Sequence, residues 1–123
     1  MTIPLPDDAV IHRLGGADVV NLRLKPAEMT LTPPGFSTLV GGTPKQAADA
    51  MRAVFPRAKK WQGSIEVGSA TVAAIRATGF DVVPDPTPNF PNHVRLIHPG
   101  GATEFTDVNL KRLAIAFTTS TGH

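Results

Sequence analysis

The 123-residue chain has no cysteine. Disulfides, thiol catalysis and cysteine-held zinc or iron–sulfur centres are therefore excluded. Charge is scarce as well: charged residues make up 18% of the chain, and the net charge is +2. So mild a basic excess permits contact with nucleic acid without demanding it, because dedicated binders carry a denser basic stripe. No apolar run approaches the ~20 residues of a membrane span. The opening MTIPLPDD has neither a basic start nor an apolar run. No signal peptide is expected from it, and the cytoplasm is the expected compartment. Walker, GxGxxG, HxH and HExxH spacings are all missing. No cofactor and no metal site is expected.

What is present is enough for one modest core. Hydrophobic residues make up 41% of the chain, and twelve prolines and eleven glycines divide it into short elements. Pro4, Pro6 and the Gly15-Gly16 pair mark residues 1–17 as a flexible arm. Residues 18–24 alternate, with Val20, Leu22 and Leu24 on one face and Asn21 and Arg23 on the other, which predicts a half-buried strand. A Pro-Pro-Gly turn and a short strand over 36–40 follow. Thr43 and Pro44 open the clearest helix, with Ala47, Met51, Val54 and Phe55 inward. A strand over 64–67, a helix over 70–78 capped by Ser69, and a strand over 80–83 come next, a run that allows a parallel crossover. Residues 93–98 alternate again, and Thr106 caps a last helix over 107–117. Residues 118–123 read as a tail. The expected fold is a single small α+β domain over 18–117. Its order is β-β-α-β-α-β-β-α, a mixed sheet of about five short strands with about three helices on one side.

Three stretches carry candidate chemistry. The loop 84–91 holds Pro84, Pro86, Pro88 and Pro91, which stiffen it into a pre-organised binding surface together with Phe90, Asn92, His93, Arg95 and His98. His93 and Arg95 share one strand face, the arrangement that a metal-independent ribonuclease needs for proton transfer and anion stabilisation. His98 falls on the opposite face. Lys59, Lys60 and Trp61 form a basic loop around the only tryptophan, a weak nucleic-acid signal. Gly41-Gly42-Thr43 reads as an ordinary strand-to-helix turn.

The run AIRATGFDVVPDPTPNFPNHVRLIHPGG, ending in FTDVNLKRLAIAF, resembles small uncharacterised bacterial proteins with a Gly-strand-DPxP-PxH-strand pattern. The resemblance covers roughly residues 70–117. It implies a bacterial source and carries over no catalytic residue. By a second, looser likeness, the order of Arg23, Ser37 and a helix is similar to the start of some ADP-ribosyltransferase-type toxins. That likeness implies NAD binding by Arg23 and Ser37, with Glu66 or Glu104 acting later.

Two functions are expected in turn. The first is a protein–protein interaction module, an accessory, antitoxin or immunity-type partner, that uses the 84–91 loop and its neighbouring strand. A homodimer through an exposed strand edge is the plainer form of the same reading. The second is a small toxin-type enzyme, either a ribonuclease (His93, Arg95) or an NAD-using transferase (Arg23, Ser37).

Overall fold

Thr43 opens a helix where the sequence predicts one. In the computed structural model, which describes residues 5–122, its hydroxyl accepts the Gln46 N–H at 3.1 Å. The Gln46 side chain in turn accepts the Thr43 N–H at 2.8 Å. This reciprocal cap, with Pro44 in first position, sets α3 (Pro44–Val54). Thr106 caps α5 (Asp107–Ile115) by accepting the Asn109 N–H. The expected cap at Ser69 is not used. The strand there runs on to Thr71, whose hydroxyl caps α4 (Val72–Ala77) instead. The Ser69 hydroxyl lies 2.7 Å from His12 Nδ1.

Six strands form one sheet: β1 (Val10–Leu14), β2 (Gly35–Val40), β3 (Ile65–Thr71), β4 (Asp81–Pro84), β5 (His93–Ile97) and β6 (Thr118–Gly122). Their order is β4-β5-β2-β1-β3-β6. The α+β single domain is as expected. The sheet differs in having a sixth strand and antiparallel pairing throughout. The crossover expected between β3 and β4 is not a parallel pair, because β1, β2 and β5 lie between them.

Residues 10–14 and 118–122 belong to the sheet, where the sequence reads as an arm over 1–17 and a tail over 118–123; residues 1–4 and 123 of those two segments lie outside the described residues. β1 is a central strand, paired on one side with β2 and on the other with β3. It escapes an alternation test because it is buried on both faces: Ile11 and His12 are both fully buried. β6 pairs with β3 from Ser69↔Thr118 to Ile65↔Gly122.

The strand expected over 18–24 is also corrected. Asp18 Oδ1 accepts the Asn21 N–H at 2.8 Å and starts a one-turn helix, α1 (Val19–Leu22). A local side-chain bond of this kind outcompetes an isolated strand. Asn21 then donates to the carbonyls of Leu14 and Gly16, and Val20 turns outward, 71% exposed. A second single turn, α2 (Pro26–Met29), interrupts the expected loop.

Period 2 divides the sheet into two faces. On one, Ile11, Phe36, Val82, Val94 and Leu96 pack against Leu22 of α1, Val72 and Ile75 of α4, and Leu110 and Leu113 of α5. On the other, Leu14, Leu39, Ile65 and Val67 pack against Ala47 and Ala48 of α3. Helices therefore cover both sides rather than one. Each fully buried Leu, Ile, Val or Phe contributes about 1.5–3 kcal/mol. Among the described residues no helix is long and apolar enough to cross a membrane.

Candidate functional site

The proline-rich loop is the end of a hairpin. Beyond β4 and β5, the Asp85 N–H donates to the His93 carbonyl at 3.0 Å. Thr87 and Phe90 then exchange two backbone hydrogen bonds, at 3.0 and 3.2 Å, around Pro88 and Asn89. Proline presets φ for the first central position of such a turn.

Under this tip lies a cleft of about 540 Å³ on the α3 face. Its floor holds Leu14 and Leu39. Met51 from the last turn of α3, Phe55 just after it, Trp61 from the 3-10 turn Lys59–Trp61, and Phe90 from the hairpin form its walls. Met51, Trp61 and Phe90 also pack on the α3-side core. Phe55 remains 43% exposed, because it ends α3 just before Pro56. The cleft reaches the sheet where β1 and β2 part: their register holds at only two positions, Ile11↔Val40 and His12↔Leu39.

Arg13, which shares the face of Ile11 and Phe36, reaches that gap from the side opposite α3. It donates to the carbonyls of Ser37 (2.8 Å) and Asn21 (2.6 Å), and its guanidinium carbon sits 4.6 Å from the Phe36 ring centre. Its Nε is buried and has no partner. Burial lowers the Arg13 pKa from its ordinary value, while the charge of Glu28 works the other way. Among the described residues no carboxylate pairs with it.

His93 lies at the start of β5 and lines the cleft. Its Nδ1 is 2.7 Å from the Asp85 carbonyl oxygen. A carbonyl only accepts, so Nδ1 carries the proton and Nε2 of the neutral ring is left as an acceptor. Arg95, two residues on, donates to Asp85 Oδ2 (2.9 Å) and to the Pro33 carbonyl (3.0 Å). Asp85 thus holds both His93 and Arg95 and pins the hairpin to the sheet.

The structure gathers Phe90, His93, Lys60 and Trp61 around the cleft, and Ser37 with them. Lys60 lies over the Trp61 ring at 4.8 Å. Pro86 is exposed beside the turn, and Asn92 donates to the Val40 carbonyl at 3.0 Å. Arg95, Lys59, Glu66 and Glu104 do not line the cleft. His98 belongs to the opposite face, as its spacing from His93 predicts, with its ring edge-on to Phe80 at 4.9 Å. Arg23 caps α1 and pairs with Asp107 at 3.1 Å, away from Ser37 and the cleft. His12, expected in a loose end, is a buried strand residue that donates to the Gly42 carbonyl at 3.0 Å. No group of three potential metal ligands comes together among the described residues.

Sequence reasoning missed Arg13, Leu14, Met51 and Phe55 as cleft residues. Arg13 and Leu14 fell in the supposed arm. Met51 and Phe55 read as an ordinary inward helix stripe, and only the end of α3 at Pro56 hints that the stripe outruns its cover. No protein-family model, curated protein or solved structure matches the chain.

Proposed function

We propose that the chain is a protein-binding module of the bacterial cytoplasm that takes an apolar side chain of its partner into the cleft under the β4–β5 hairpin. One observation carries this reading. Met51, Phe55, Trp61 and Phe90 converge on a preformed well that the chain itself leaves open. Large apolar anchors seated in such wells dominate protein interfaces. A hairpin already fixed by Asp85 also lowers the ordering cost of binding. An accessory, antitoxin or immunity-type role is compatible with so small a binding surface. The test is capture of a partner by the tagged chain. Recovery at fixed stoichiometry by the wild type and by Val20→Asp, with loss in Phe55→Asp, supports the reading. Equal recovery by Phe55→Asp overturns it.

One observation favours the ribonuclease alternative: His93, its Nδ1 tied to the Asp85 carbonyl, lines the cleft. Against it, the Arg95 guanidinium is occupied by Asp85 and Pro33. His93→Ala would abolish RNA cleavage without lowering Tm if that reading holds. The transferase alternative needs Arg23 beside Ser37. A rise in Tm at millimolar NAD would support it.

A further inference from the structure

The cleft is apolar in its walls and one-signed in its charge. Of the residues that line it, Arg13, Lys60 and His93 are basic, and none is acidic. Arg13 is the informative one. A guanidinium withdrawn from water is costly unless a counter-charge or a full set of hydrogen bonds replaces the lost hydration. Here two carbonyl dipoles serve two of its nitrogens, the third has no partner, and no carboxylate pairs with it among the described residues. Lys60 adds a second cation beside the Trp61 wall. An anion entering beside an apolar body would meet Lys60 at the wall and the Arg13 charge through the gap between β1 and β2; no lining residue is acidic, and Glu28, whose charge acts on Arg13, lies outside the lining.

We propose that the cleft selects an apolar group bearing a carboxylate, in the form of a hydrophobic C-terminal residue of a partner chain. The side chain occupies the well formed by Leu39, Met51, Trp61 and Phe90, and the terminal carboxylate lies beside Lys60, with the Arg13 charge reaching it through the gap between β1 and β2. This rests on the cleft being the binding surface, and it adds the chemistry that the partner must present.

Trp61 is the only tryptophan and the chain has no tyrosine, so intrinsic emission reports this cleft directly. The probes are octanoate against octan-1-ol, and acetyl-Gly-Gly-Leu as the free acid against its amide. Each acid should shift Trp61 emission with an affinity about fivefold or more above its neutral partner, the scale of one partly exposed ion pair. Lys60→Met should shrink that preference, as should 1 M salt. Equal binding of acid and neutral forms overturns the charge selection and leaves the apolar cleft standing. A preference confined to octanoate overturns the C-terminal form in favour of a small free acid. No response to any probe overturns both the inference and the cleft reading beneath it.

Discussion

Replacing Asp85 by alanine should lower stability far more than breaking an exposed ion pair. The Arg95 side chain is 15% exposed and the Asp85 side chain 34%. The carboxylate accepts Arg95 Nη2 at 2.9 Å. His93 Nδ1 lies 3.4 Å from the same oxygen, but its shorter bond, 2.7 Å, is to the Asp85 backbone carbonyl, which alanine keeps. The substitution therefore removes one charge-assisted bond and leaves a mostly buried guanidinium with the Pro33 carbonyl alone. Such a bond contributes about 1.5–3 kcal/mol. At roughly 3–5 °C per kcal/mol for a domain of this length, Tm should fall by about 5–15 °C. Lys45, paired with Asp49 at side-chain exposures of 65% and 48%, is the control. Lys45→Ala should cost about 0.5 kcal/mol or less. Thermal unfolding followed by circular dichroism reads both. At 1 M salt the Lys45 effect should vanish and the Asp85 effect should persist. In an Arg95→Ala background, Asp85→Ala should add little, because the two act as a unit. A Tm fall of less than about 2 °C would refute the argument that this carboxylate anchors the hairpin.

Four further outcomes follow from the packing. His12→Ala should cost about 3 kcal/mol or more in a denaturant titration, because it empties a fully buried site and strands the Ser69 hydroxyl and the Gly42 carbonyl. Gly35→Ala should abolish soluble expression or the native circular dichroism spectrum. Its methyl would land on the Leu96 carbonyl oxygen and 2.8 Å from Arg95 Cγ, inside the β2–β5 ladder. Thr43→Ala should lower stability by about 1 kcal/mol through the lost cap of α3, visible as a small Tm shift. Deletion from Thr118 onward should produce higher oligomers on size exclusion, because it bares the β3 edge that β6 covers.

Strong local signals made part of this fold legible. The Thr43–Pro44 start of α3, the buried pair Val94 and Leu96 on β5, and the Leu110–Leu113 stripe of α5 all stand where their spacing places them. The failures share a cause. β1 is inside on both faces, so His12 and Arg13 broke the alternation that would have revealed it. Residues 18–24 alternate well, yet a single Asp18 cap turned them into a helix. The cleft was half legible. Phe90, His93 and Trp61 were picked out by their unusual neighbours. Nothing local to Leu14 or Arg13 says that β1 and β2 separate beside them.

The cleft has a geometric origin in the number of helices. Strands lie about 4.8 Å apart and a helix with its side chains is about 10–12 Å wide, so one helix covers two or three strands. One face of the six-stranded sheet has α1, α4 and α5 across it. The other has only α3, which packs over β6, β3 and β1. Beside α3, on the β2 and β5 side, no helix of the described chain contributes to the core. The 3-10 turn and the hairpin tip reach in from the two sides with Trp61 and Phe90, but single side chains cannot seal the width that a helix would. The opening is a missing layer rather than a packing fault, and its rims are held by bonds that do not depend on filling it: Asp85 to Arg95 on one side, and Arg52 to the Gly63 carbonyl on the other. A surface that keeps its shape while empty binds without reorganising. In the binding reading, a partner's apolar group completes the layer that α3 begins.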